Sequence, residues 1–152
     1  MSLDSVRAFL AKMAPDIEII DQGVSTATVA EAAVALGVAP AQIAKTLSIR
    51  IKNEVILLVT RGDARLDNRK TRTCLGGRPR MLAPDEVEAL TGHPVGGVCP
   101  FGLATALPVY CDVSLRGFDQ IFPAAGSRTA SVRITPDRLA VLVSATWVDL
   151  CT

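Results

Sequence analysis

The sequence predicts one α/β domain built on a curved, mixed and largely antiparallel sheet flanked by helices. Three observations lead there. Apolar residues fill 49% of the 152 positions, enough for a single core without covalent staples. Helix-spaced and strand-like runs are interleaved along the chain, with a visible hairpin and no repeated strand–helix–strand rhythm. No linker, repeat or low-complexity tract divides residues 1–152, so the whole reads as one domain. With one Trp, one Tyr and four Phe, the core must rest on Val, Leu, Ile and Ala.

The elements follow in order. Leu3, Val6, Phe9, Leu10 and Met13 recur at helical spacing, and Pro15 ends that helix. Ile17 to Ile20 reads as a short strand closed by Asp21-Gln22-Gly23. Thr28 and Glu31 form a capping box for an Ala-rich helix that stops at Gly37. Pro40 starts a short helix reaching about Ala44, and Lys45 stands where it gives way to a strand. Runs 46–51 and 54–60 are β-branched and apolar, joined by Lys52-Asn53 as a hairpin. Asp67 caps a basic helix ending at Gly76-Gly77, and Pro84-Asp85-Glu86 opens another that stops at Gly92. Residues 92–102 hold four glycines and two prolines and cannot be regular structure. Strand-like runs at 107–113, 120–123 and 129–134 precede a helix capped by Thr135 and a last strand at 145–150.

Charge is unevenly spread. Residues 61–80 hold seven basic residues against two acidic, giving +5, while the rest of the chain carries −4. A phosphate backbone is the partner such asymmetry suits, although a solvated helix face beside a basic loop would look the same. The N-terminus shows no basic segment before an apolar run, and no apolar stretch could span a bilayer. A cytoplasmic protein without a membrane partner is expected. Cys74, Cys99, Cys111 and Cys151 include no Cys-x-x-Cys pair and suit reduced thiols, with Cys74, Cys111 and Cys151 read as buried apolar residues.

Several chemistries are excluded. His93 is the only histidine, so a multi-histidine metal site cannot form. Nucleophile-elbow, phosphate-loop and dinucleotide signatures are absent. A Cys99–His93 dyad is conceivable on spacing, but no third group to orient it is evident. The glycine-rich loop is left. Glycines let a backbone approach a ligand and aim its N–H groups at one point, as an oxyanion requires.

An ordered set of motifs then carries a resemblance. Ala27 to Ala33, Ile43 to Leu47, Gly62 to Asp67, Gly96 to Gly102, Leu107-Pro108-Val109 with Asp112, and Ala125 to Arg128 together resemble the YbaK/ProX family. These are stand-alone relatives of the editing domain inserted in bacterial prolyl-tRNA synthetases. The resemblance spans roughly residues 20–150 and implies hydrolysis of mischarged aminoacyl-tRNA, chiefly tRNA(Pro) carrying a small amino acid such as alanine, serine, threonine or cysteine. It also implies no metal or organic cofactor, the tRNA acceptor end as partner, and prolyl-tRNA synthetase as a further one.

On that resemblance Lys45 is the residue tied to activity. Backbone donors at Gly96 and Gly97 would hold the oxyanion, with Pro100 and Gly102 lining the pocket and Gly126-Ser127 on a second loop beside it. Phe101 belongs to the same loop. Thr26, Thr28 and Ser127 are candidate polar groups of the pocket, and Arg61, Arg65, Arg69, Lys70 and Arg72 are candidates for the tRNA backbone. Cys99 stands where serine is common in the family and His93 where tyrosine is common. Water would attack the ester directly, helped by the vicinal ribose hydroxyl or by a substrate thiol. A catalytically silent tRNA- or synthetase-binding module and a DNA-binding protein are the competing readings. No helix-turn-helix spacing supports the latter.

Overall fold

The computed structural model describes residues 2–152. Helix α1 (Ser2–Met13) leads to strand β1 (Ile19–Asp21), helix α2 (Val29–Leu36), a 3₁₀ turn (Pro40–Gln42) and the long strands β2 (Ile43–Ile51) and β3 (Glu54–Arg61). Helix α3 (Asn68–Leu75), strand β4 (Arg80–Met81) and helix α4 (Pro84–Thr91) follow. After the glycine-rich loop come β5 (Val109–Asp112), a second 3₁₀ turn (Val113–Gly117), β6 (Phe122–Pro123), β7 (Ala130–Val132), α5 (Pro136–Leu142) and β8 (Thr146–Val148). None of the described helices is long and apolar enough to cross a membrane.

Local chemistry explains where the helices begin. The Thr28 hydroxyl accepts the Glu31 N–H at 3.1 Å, Asp67 accepts Lys70 N–H at 3.0 Å, and Thr135 accepts Arg138 N–H at 3.2 Å. Each satisfies a main-chain donor that the first turn leaves free.

The main sheet has the order β4-β2-β3-β5-β8, with β6 also pairing β2. Its centre, β2 against β3, is an antiparallel hairpin in continuous register from Ala44–Arg61 to Ile51–Glu54. Strand β5 runs parallel to β3, β8 parallel to β5, and β6 parallel to β2. The sheet is therefore mixed. Strands β1 and β7 form a separate antiparallel pair. Leu57, Leu58 and Val59 are fully buried, because helices cover both faces of β3. Truncating Leu57 or Leu58 to alanine would remove about 2–5 kcal/mol of stability.

One core lies under α1 and α5, where Val6, Leu10 and Leu139 meet Leu57, Val59 and Cys111. A second lies on the opposite face, where Leu75 and Leu150 meet Ile49, Ile51, Ile56 and Leu58. The buried Asp112 carboxylate joins β5 to the end of the chain. It accepts Ser114 N–H at 3.0 Å and Leu150 N–H at 2.7 Å.

Two expectations need correction. Lys45 is not at the start of a strand but is the third residue of β2, paired with Thr60, because the short helix ends at Gln42. Cys74 is exposed on α3, whereas Cys111 and Cys151 are buried as expected, their thiols pushed up to about 12, chiefly by burial. Strand β4 was not legible, since two exposed residues in a basic segment carry no alternation.

Helix α1 is anchored at both ends of its buried face. Phe9 packs on Phe101 with ring centroids 5.9 Å apart. His93 donates from Nε2 to the Phe101 carbonyl at 2.7 Å, which leaves Nδ1 to accept from the Ser2 hydroxyl. Burial depresses the His93 pKa below its ordinary 6.5, against an opposing pull from the Phe101 carbonyl. Stability is thus full above about pH 6.5 and falls as pH drops below it, since the unfolded chain takes up a proton that the folded chain resists. Asp16, held at about 2 chiefly by its hydrogen bond to Arg138, adds its own loss only as pH falls through its unfolded value of 3.8. Urea midpoints should therefore be lower at pH 5.5 than at pH 7.5, and His93→Asn should flatten that difference. A pH-independent midpoint in the intact protein would show that the imidazole does not anchor α1.

Candidate active site

Two loops, at residues 26–28 and 95–98, line a cavity of about 280 Å³ together with the edge of β2, with Ala124 and Ser131 beside them. A third loop, residues 126–129, does not line the cavity but is hydrogen-bonded to the two loops that do. Thr26 donates from its N–H to the Arg128 carbonyl at 2.7 Å, and its hydroxyl adds a second bond at 3.2 Å. Arg128 Nε reaches the Val95 carbonyl at 2.9 Å, and Gly126 N–H reaches the Gly97 carbonyl at 3.0 Å. Helix α2 supplies an apolar wall through Val29 and Ala32, and α4 another through Pro84 and Val87.

Steric need, more than ligand contact, accounts for the glycines. A Cβ on Gly97 would lie 2.8 Å from the Ser127 main chain. One on Gly96 would lie 2.9 Å from Ala27 Cβ, and its φ of +95° is itself hard for a side chain to adopt. Two loop backbones thus approach one another through positions where only glycine fits.

Of the residues singled out from sequence, Thr26, Thr28, Lys45 and Gly96 line the cavity. Lys45 is the only charged residue among them, and its ammonium donates to the Ala64 carbonyl at 2.7 Å. The Thr28 hydroxyl is committed to capping α2 and the Thr26 hydroxyl to the Arg128 carbonyl.

Seven others, Gly97 among them, do not line it. Cys99, Pro100 and Phe101 are buried behind the wall, Cys99 and Phe101 in the core under α1. Gly102 and Gly126 make room for α1: a Cβ on them would lie 2.5 Å from the Ser5 carbonyl and 2.8 Å from the Ser2 carbonyl. Ser127 turns its hydroxyl to its own loop, accepting Thr129 N–H at 3.3 Å. Gly97 also differs from expectation, because its N–H is spent on the Pro94 carbonyl at 2.9 Å and cannot donate to an oxyanion. Among the described residues, Gly96 N–H and Val98 N–H have no partner within the chain, so the wall still offers donors.

The Cys99–His93 pair is close, with Sγ 3.6 Å from Nε2, but it is no nucleophilic dyad. Both residues are fully buried, the imidazole is committed to Phe101 and Ser2, and burial pushes the thiol up to about 12. A thiolate would not form there.

Sequence reasoning missed Thr46, Ser48 and Ser131, which supply most of the remaining polar lining. A usable signal existed. Thr46 and Ser48 alternate with apolar residues in a strand, so both face the same side as Ala44. No carboxylate, imidazole or thiol lines the cavity.

The basic segment divides in two. Arg61 pairs with Asp63 at 2.6 Å, and Lys70 pairs with Asp149 at 3.0 Å while also donating to the Cys151 carbonyl. Lys70 therefore ties α3 to the end of the chain. Arg65, Arg69 and Arg72 are exposed and have no ion pair among the described residues.

A model of the aminoacyl-tRNA editing domain matches residues 24–142. YwhH, an uncharacterized protein of Bacillus subtilis (strain 168), is 46% identical over 153 positions that cover 99% of this chain and 98% of that protein. EbsC of Enterococcus faecalis, provisionally named a Cys-tRNA(Pro)/Cys-tRNA(Cys) deacylase, is 28% identical over 77% of this chain and 73% of its own. A crystal structure described provisionally as a trans-editing enzyme for prolyl-tRNA synthetase superposes with a TM-score of 0.91 at 35% identity, covering 99% of this chain and 97% of that one.

The close approach at Gly97 gives a direct test of the wall. Gly97→Ala should lower stability by about 1–3 kcal/mol in urea denaturation, the range for forcing one extra carbon into a packed site. An unchanged midpoint would mean that loop 126–129 does not rest on Gly97.

Proposed function

The chain belongs to the aminoacyl-tRNA editing-domain family, and we propose that it is a trans-editing hydrolase that removes a small non-cognate amino acid from tRNA(Pro) in the cytoplasm. One observation carries the chemistry. The cavity offers a single cation, Lys45, beside hydroxyls and unpaired main-chain donors, and no lining side chain able to act as a general base or nucleophile. Such a site suits an ester whose own groups can assist its hydrolysis. Aminoacyl-tRNA is such an ester, since a ribose hydroxyl sits next to the acyl oxygen.

In this reading water attacks the ester carbonyl without a covalent intermediate on the protein. The Ala64 carbonyl holds the Lys45 ammonium at one place, leaving its other N–H groups free to meet the ester carbonyl or the terminal phosphate. Gly96 N–H and Val98 N–H add donors for the developing oxyanion. The vicinal ribose hydroxyl relays the proton, accepting one from the attacking water as it passes its own to the departing ribose oxygen. The cavity admits small side chains, and its apolar walls from α2 and α4 exclude larger ones. Arg65, Arg69 and Arg72 are free to meet the phosphates of the acceptor stem, with prolyl-tRNA synthetase as a further partner.

Deacylation assays on a panel of mischarged tRNAs test the reading. Lys45→Ala should fold normally and lose on the order of a hundredfold or more in rate, the range for removing one electrostatic stabiliser. Lys45→Arg should restore only part, because a planar fork does not replace a compact ammonium. Near-normal turnover by folded Lys45→Ala would refute the mechanism.

The basic residues separate in a second assay. Reversing Arg65, Arg69 and Arg72 to Glu should weaken tRNA binding and flatten its dependence on salt, with little change on a minimal aminoacyl-ester fragment. Lys70→Glu should instead lower the unfolding temperature. Equal losses on both substrates in the arginine variant would assign those arginines to the fold.

A further inference from the structure

The outer edge of β2 is covered at two places and bare between them. Strand β6 pairs it at Ile43 and Ala44, and β4 pairs it at Ile49 and Arg50. The Ser48 carbonyl points outward, since it accepts Leu82 N–H at 3.1 Å. Register in the β2–β3 hairpin is unbroken, so main-chain direction alternates residue by residue. Thr46, two residues from Ser48, therefore also turns its N–H and C=O away from β3. They face the interval that neither β4 nor β6 reaches, in the part of β2 that lines the cavity. Among the described residues neither group has a partner. The Thr46 hydroxyl is shielded from solvent, and among the described residues it alone of the buried side-chain polar atoms lacks a hydrogen bond.

One residue thus presents an unpaired donor, an unpaired acceptor and an unpaired hydroxyl to the same cavity. Buried polar groups are normally satisfied, so a shielded hydroxyl left open beside an unpaired strand-edge N–H and C=O points to a ligand that completes them. Its chemistry can be read from the pattern. A strand-edge N–H and C=O on one residue match the C=O and N–H of one residue opposite. An α-aminoacyl ester carries that pair, a carbonyl and an ammonium on neighbouring carbons.

We infer that the aminoacyl group docks on Thr46 as a one-residue extension of the sheet, filling the notch between β4 and β6. Its α-ammonium donates to the Thr46 carbonyl and hydroxyl, and its ester carbonyl accepts the Thr46 N–H. This rests on the deacylase reading and goes beyond it, since it makes a free α-amino group a condition of recognition. The strand also ties substrate position to Lys45, the preceding residue.

The test compares aminoacyl-tRNAs carrying alanine, serine, threonine or cysteine with the same tRNAs N-acetylated on the amino acid. Acetylation removes the charge and most of the donors but leaves the ester, the ribose and the tRNA. For whichever amino acid is removed fastest, the N-acetyl form should react about tenfold or more slowly, as expected for losing hydrogen bonds to a charged group. Thr46→Val, which keeps the strand and deletes only the hydroxyl, should raise KM for the free-amine substrate with little change in kcat. It should leave the N-acetyl substrate unaffected. Amide-linked aminoacyl-adenosines provide a readout apart from turnover: binding should shift the Thr46 amide resonance and slow its hydrogen exchange. Equal hydrolysis of acetylated and free forms, or binding that leaves the Thr46 amide unmoved, overturns the inference while the deacylase reading stands. Failure to hydrolyse any of the free-amine substrates removes the deacylase reading, and this inference with it.

Discussion

The close approach of two backbones at Gly97 is the constraint on which the cavity depends. Loop 94–98 must lie against loop 126–129 with main chain touching main chain, and a Cβ there would lie 2.8 Å from Ser127. That contact brings the Gly97 carbonyl to Gly126 N–H and the Val95 carbonyl to Arg128. Arg128 in turn accepts both donors of Thr26, so the segment before α2 is held as well. The wall is therefore built mostly from backbone, which has few rotamers to lose and can keep Gly96 N–H and Val98 N–H in place. A rigid wall of donors is what charge development on a substrate oxygen requires.

How much of this was legible follows from what each residue type reports. Thr28, Asp67, Pro84 and Thr135 announce helix starts because their side chains or rings act on the nearest turn, a purely local matter. The glycine-rich loop and its membership in a site were equally visible. What the glycines touch was not. Glycine reports a close approach without saying whether the approaching body is a ligand or another part of the chain. Gly97, Gly102 and Gly126 answer to Ser127, Ser5 and Ser2, and the last two contacts span about a hundred residues. No local signal carries that information. The same holds for Lys70, whose partner Asp149 lies at the other end of the chain. Thr46 was legible in principle, from alternation, but its importance comes from where β4 and β6 stop.

The lining also limits which reactions the cavity can support. Ser and Thr hydroxyls without a basic neighbour are weak nucleophiles, and the only lining charge is a lysine held by a carbonyl. Cys99 and His93 sit close behind the wall, yet they are spent on seating α1, and burial holds the thiol protonated. The fold thus keeps its two most reactive side chains out of the cavity, which in the proposed reaction leaves water, not the protein, to take the acyl group. Position and electrostatics then become the protein's whole contribution, and small displacements of Lys45 would matter more than any change in side-chain basicity.

Selectivity cannot come from the cavity alone. A methylene more or less in an apolar pocket discriminates by only about 1–3 kcal/mol, too little to spare every correctly charged tRNA from hydrolysis. Two further filters are on the surface and the strand edge. Arg65, Arg69 and Arg72 are exposed and have no ion pair among the described residues, so in the proposed function they add phosphate contacts that depend on the shape of the tRNA rather than on the amino acid. The bare stretch of β2 reads the backbone of the amino acid, not its side chain. It requires an α-ammonium able to donate in the plane of the sheet, a demand that a ring nitrogen locked to its own side chain meets less readily than a primary amine. Cavity size, strand edge and arginines each test a different part of the substrate. The arginines, which meet the tRNA and not the aminoacyl group, should add nearly independently, whereas cavity and strand edge hold one group and are coupled.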